Sequence, residues 1–137
     1  MGRVLAVDPG TARVGVAISD PLGITAQPLE VVPAASAVER IARLCEELDV
    51  EEVIVGLPVT EKGEETESAV LARRLAAEIE TATGLVVTTV DERYTTRIAD
   101  SVMIEAGTRR RKRKETVDKV AAAVLLRGYL DRRGDER

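Results

Sequence analysis

RVLAVDPGTARVGVAISDPLGITAQPLEVV, residues 3–32, carries the fold in its punctuation. Residues 3–8 are a short apolar run that ends in an acid, and Pro9-Gly10 breaks it. Residues 13–19 alternate in the manner of a second strand. Asp20-Pro21-Leu22-Gly23 forms a turn, and residues 24–32 predict a third strand, which Pro28 marks as an edge strand. Links this short join neighbouring strands as an antiparallel meander.

Beyond residue 35 the period changes. Ala37, Ile41, Leu44 and Leu48 fall at helical spacing within 36–49. EVIVGL, 52–57, is the short apolar run of a buried parallel strand. A polar loop, 58–66, leads to a helix over 67–83 with Leu71, Leu75 and Ile79 spaced by four. LVVTTV, 85–90, predicts a fifth strand. A short helix follows over 95–106, closed by Gly107, then a basic link over 108–114 and a last helix over 115–131. The order β-β-β-α-β-α-β-α-α predicts an α/β fold in one domain spanning 1–137. Its mixed five-stranded sheet joins a three-strand antiparallel meander to two parallel strands, flanked by helices. In such a sheet strands one and five are expected as central strands whose ends lie near each other.

Composition narrows the chemistry. The chain has 137 residues, 45% apolar and 32% charged, which suits one soluble globular domain. No run is long and apolar enough for a membrane span, and the acid at position 8 argues against a signal peptide. The expected location is the cytoplasm. Tyr94 and Tyr129 are the sole aromatics, so an aromatic platform for stacking bases is excluded. Histidine is absent, which removes His bases, Ser-His-Asp triads and His-bound zinc. Cys45 is alone, excluding an internal disulfide, and reads as a buried thiol on the first helix. Carboxylates, lysine, hydroxyls or an oxygen-held metal must carry any reaction.

Three acids stand out. Asp8 ends the first strand and is followed by Gly10-Thr11 and Gly15, small residues that let a ligand approach the backbone; taken alone it also reads as a turn-former. Asp91 and Glu92 end the fifth strand, and strand alternation lets one of them, not both, face a given site. Asp118 falls on the apolar arc of the last helix, between Leu125 and Tyr129 and beside Val117 and Ala121. An acid there is costly unless it is paired or binds a cation, or sits near the helix start where the dipole favours it. Together the acids suit Mg²⁺ or Mn²⁺, which take oxygen ligands and can promote phosphodiester cleavage.

Charge is segregated. Residues 107–137 carry 11 Lys and Arg against 5 Asp and Glu, although the whole chain is at −4. The run Arg109, Arg110, Arg111, Lys112, Arg113 and Lys114 ends four residues before Asp118, and reads either as a solvated loop or as the path of a nucleic-acid backbone. Thr11, Arg13, Arg93 and Thr95 are further candidates for phosphate contact, with Thr95 also a candidate helix cap.

Four segments in order resemble the YqgF/RuvX family: VDPGTARVGVAISDPLGITAQPL (7–29), VIVGLPV (53–59), VDERYTT (90–96) and IEAGTRRRKRKETVDKVAAAVLL (104–126). The resemblance runs from about residue 3 to 131. It implies an RNase H-like fold related to Holliday junction resolvases, with Asp8, Glu92 and Asp118 as the catalytic, metal-holding acids. It selects Glu92 over Asp91, and it implies a nuclease acting on pre-16S rRNA at its 5′ end or on branched DNA, as a monomer or homodimer. Val59-Thr60-Glu61 and Pro9 depart from the family's usual residues at those places, and Glu115 is the one candidate for a fourth acid. The competing classes are a non-catalytic nucleic-acid-binding module and an actin-like phosphate-binding ATPase; the latter needs two domains, and 137 residues supply one.

Overall fold

The computed structural model describes residues 2–60, 62–91 and 110–135, with side chains described for 2–60, 62–91 and 119–133. Five strands, β1 (Arg3–Asp8), β2 (Arg13–Ser19), β3 (Ala26–Pro33), β4 (Val50–Leu57) and β5 (Val86–Asp91), form one sheet in the order β3-β2-β1-β4-β5. Helices α1 (Ala37–Glu47) and α2 (Glu67–Thr83) are the crossovers, and the last helix, here α3, spans Arg110–Asp135. β1–β2 and β2–β3 are antiparallel, while β1–β4 and β4–β5 are parallel. The meander and the two parallel strands are thus as the sequence predicts.

Alternation on β1 divides the core in two. Leu5 and Val7 join Ile41, Leu44, Val53, Val55 and Ile79 beneath α1 and α2. Val4 and Ala6 join Ala17, Ile54, Ala122, Leu125 and Leu126 beneath α3. The sheet is therefore the middle of three layers. β1 is apolar on both sides because both sides are covered.

Pro28 lies on an edge strand, as its missing N–H requires. The register slips there: Val16 pairs with Glu30 and Ala17 with Pro28, leaving Leu29 as a bulge. Arg40 of α1 donates twice to Glu30, at 2.9 and 2.8 Å, tying this edge to the helix. At the opposite end of the sheet from Asp8, the Asp20 carboxylate accepts the Ile24 and Thr25 amides at 2.7 and 2.9 Å, which closes the β2–β3 turn. Those amides, Thr25 foremost, hold its pKa below the ordinary carboxylate value.

Three expectations change. β5 is an edge strand, and β4 separates it from β1. β1 already has β2 on one side and β4 on the other, so the last strand can only add outside β4. The stretch 110–114, read as part of a link, is helical and opens α3; Arg and Lys are good helix formers, and acids at 115 and 118 follow at helical pair spacing. On α2 the buried stripe is Ala69, Ala72, Ala76 and Ile79, while Leu71 is 51% exposed. Small residues let that helix sit close on the sheet. The helix predicted over 95–106 lies outside the described residues.

Candidate nuclease site

The three parallel strands end at one edge of the sheet. Asp8, the last residue of β1, lies there and is half-buried. It shares parity with Val4 and Ala6, so it stands on the face covered by α3. On β2 it pairs with Gly15. On β4 Val7 pairs with Val55, so the next residue, Gly56, comes level with Asp8. Both flanking positions lack side chains. At these two flanking positions the sheet presents backbone alone, which lets a bound group come close.

The turn after Asp8 is tight. A Cβ on Gly10 would come within 2.4 Å of the Arg13 carbonyl oxygen, a backbone atom that cannot swing away. Ala34 donates its N–H to the Ala12 carbonyl at 3.0 Å, fixing the loop to the segment before α1. Arg13 opens β2 two residues before Gly15, on Asp8's face of the sheet. Thr11 lies in the loop itself and is exposed.

On β5, Asp91 pairs with Leu57, which belongs to the core under α1 and α2, whereas Val90 belongs to the core under α3. Asp91 is therefore on the opposite face from Asp8. Two strand spacings, roughly 10 Å, separate the β1 and β5 backbones across Gly56. Glu92, Arg93 and Thr95 lie outside the described residues, as does Arg109. Arg110 to Lys114 and Asp118 are described as backbone within α3.

The direction of α3 follows from its far end. Tyr129 and Arg133 both donate to the Glu52 carboxylate near the start of β4, and Arg127 donates to the Ile24 carbonyl at 3.0 Å. These partners mark the sheet end remote from Asp8. From Tyr129 back to position 118 is eleven residues of helix, ~16 Å. From the level of Glu52, which pairs with Val4, up to Asp8 is four residues of strand, ~13 Å. The helix thus runs towards the Asp8 end, and position 118 reaches it one turn ahead of the buried Ala121 and Ala122.

Among the described residues no three carboxylate, Cys or His side chains cluster for metal binding. Asp8 is the described member of the predicted trio, and its hard oxygen donors fit Mg²⁺ or Mn²⁺ rather than a soft metal. Cys45 offers no alternative: it sits in the core under α1, where burial pushes its thiol up to about 11. The sequence reads Gly56-Leu57-Pro58 as a strand end and loop entry near the site; the structure adds that Gly56 is the residue level with Asp8. The signal is a glycine inside an otherwise β-branched run.

Comparison with known proteins agrees with this frame. A protein of Lachnospira eligens, provisionally named a pre-16S rRNA nuclease, is 44% identical over 94% of this chain and 96% of its own length. A Dictyoglomus thermophilum protein of the same provisional name is 43% identical over 94% and 95%. Among solved structures, RuvC of T. thermophilus in complex with a Holliday junction substrate superposes with a TM-score of 0.58 over 98% of this chain and 97% of that one, at 19% identity. That likeness establishes the RNase H-like fold. The model of the RuvX family, described as Holliday junction resolvase, matches residues 2–132, and the chain belongs to that family.

Proposed function

We propose that this protein is a divalent-metal-dependent nuclease that hydrolyses phosphodiester bonds at the 5′ end of pre-16S rRNA, with Asp8, Glu92 and Asp118 holding the ion. The observation that carries the reading is Asp8 itself: a carboxylate at the open end of a buried strand, with glycines on both sides, under the line of a helix that brings position 118 to the same end. Asp91 faces the other side of the sheet, which leaves Glu92 as the β5 acid in this reading.

Nucleases of this fold work with divalent metal ions. When bound, such an ion supplies charge neutralisation at the phosphate and a more acidic water. The protein's part is positioning. The two strands that flank β1 fix the backbone at Asp8, so the position of the acid is set before substrate arrives. Arg13, on the same face, is placed to meet a non-bridging phosphate oxygen, and the basic opening of α3 follows the strand on either side.

Ribosomal RNA is favoured over a DNA junction because relatives above 40% identity carry the rRNA name, while the junction-bound structure is at 19%. One such site per chain suits a monomer on RNA; a homodimer would suit a two-fold junction. Among the described residues no helix is long and apolar enough to cross a membrane, in keeping with a cytoplasmic enzyme.

The test incubates purified protein with labelled pre-16S rRNA and with a four-way DNA junction, each in Mn²⁺, Mg²⁺ or EDTA. Cleavage of the RNA is expected with either ion and none in EDTA. Asp8→Asn, Glu92→Gln and Asp118→Asn should each reduce it by at least about a hundredfold. Cleavage that survives Asp8→Asn or EDTA would refute the metal site, and preferential cutting of the junction would replace the substrate.

A further inference from the structure

The two edges of the sheet differ in how they are closed. β3 carries three devices that keep a further strand away: Pro28 offers no N–H, Leu29 is a bulge, and Arg40 of α1 grips Glu30. β5 carries none of these. Its register with β4 runs unbroken from Val86 to Asp91. Leu85 to Val90 hold no charge and no proline, and Val86 is 67% exposed. Among the described residues no strand pairs with its outer side. Such an edge is a template for another strand. The helix above continues it. α2 lies over β4 and β5, and its Leu71, Leu75 and Ala82 side is turned to α1. The opposite flank therefore overhangs β5, and it carries Arg73, Ala77 and Glu80, all exposed.

We propose that the β5 edge pairs with β5 of a second copy of this chain, antiparallel about a two-fold axis normal to the sheet at Thr88. The free edges of a second copy are β3 and β5, and β3 is guarded. Centred on Thr88, the pairing sets Thr88 opposite Thr88, Val86 opposite Val90 and Val87 opposite Thr89. All are β-branched, uncharged pairs of the kind that stabilise a sheet, and the exposed Val86 is covered. The α2 helices come into line as well. Ala77 is six residues, ~9 Å, from the end of α2 at Thr83, and Thr88 is two residues, ~7 Å, from the start of β5, so both lie near the axis. The two helices then run roughly 10 Å apart, a packing distance, with the small Ala77 at their closest point. Since the copies are antiparallel, Arg73 of one meets Glu80 of the other, a charge pair that complements itself across the axis. Both Asp8 faces stay on the same side of one continuous sheet, five strand spacings or roughly 24 Å apart. Each site remains whole within its own copy, so the pairing does not depend on the nuclease reading.

The test is sedimentation velocity of the full-length protein over a concentration series, which should show a monomer–dimer equilibrium. Val86→Lys puts a charged guard on the edge, and Glu80→Arg sets a second cation against Arg73 of the other copy. Each should weaken the dimer at least about tenfold. Leu22→Lys, as exposed as Val86 but at the β2–β3 turn, should leave it intact. All three positions are exposed, and unchanged far-ultraviolet circular dichroism would show that the variants fold. In hydrogen exchange the amides of Val86 to Val90 should lose protection on dilution to the monomer. A monomer at every concentration overturns the proposal. So does a dimer that Val86→Lys and Glu80→Arg leave intact, since it would use another surface. Protection of the β5 amides that is equal at all dilutions also overturns it, by showing that the edge is covered within its own chain.

Discussion

Asp8, Gly10, Gly15 and Gly56 show how few side chains the site needs. The acid supplies charge, Gly10 permits the turn, and the other two glycines leave backbone alone beside it. All but Gly56 are legible as a pattern after the first strand, since turn chemistry and small residues are local signals. The choice between Asp91 and Glu92 is not legible locally. Alternation says that the two differ in face, and only the identity of the covering layers says which face matters. A different glycine tests the backbone alone. Gly84 caps α2 in the left-handed region, at φ 71°, with nothing within 4 Å of where a Cβ would stand. Gly84→Ala should therefore destabilise the protein by about 1 kcal/mol through conformation rather than collision, measurable by urea denaturation, with Gly84→Asn costing less.

At the scale of elements, helices and strands are mostly where the periodicities put them. The exceptions are instructive. The predicted stripe Leu71-Leu75-Ile79 assumes that the largest apolar residues face inward, but a helix lying close on a sheet needs alanines where the two meet. The segment 110–114 looks like a link because like charges in a row repel, yet helical continuity with 115–135 outweighs that repulsion. Edge strand β3 depends on Arg40 and Glu30, whose side chains are 36% and 29% exposed. Arg40 holds the Glu30 pKa below its ordinary 4.5, so the pair stabilises the fold above that value and stops doing so as pH falls through the lowered pKa. Solvent screening keeps the contribution to about 1 kcal/mol or less. Glu30→Gln should thus be less stable than wild type at pH 7, and the gap should shrink towards zero by pH 3 in urea titrations.

For the whole molecule, two apolar clusters share one sheet, and β1 contributes to both. We infer a single folding unit from this sharing. Leu126→Ala on the α3 side and Ile79→Ala on the α2 side should each cost about 2–5 kcal/mol and shift the same single transition in circular dichroism and intrinsic fluorescence alike. Separate transitions would divide the domain. Charge also acts at this scale. The chain is at −4 overall, so nucleic-acid affinity must come from a local concentration of cations. Replacing Arg110, Arg111, Lys112, Arg113 and Lys114 by alanine should weaken binding to all sequences alike. The slope of log affinity against log salt should flatten by roughly 0.7 for each phosphate of a single strand that the variant no longer neutralises, read by filter binding across a salt series.

Sequence alone determined most of the described elements, the meander, the edge character of Pro28, the exclusion of histidine and thiol chemistry, and a short register of acids. These depend on periodicity, turn residues and composition, which act over a few neighbours in the chain. Tertiary structure alone decided that β4 lies between β1 and β5, that Asp91 is on the far face from Asp8, and that α3 runs towards the Asp8 end. It also left Leu71 in the open. Strand order, facing and helix direction are set by which surfaces can be buried together, a competition among residues dozens of positions apart that no local pattern records.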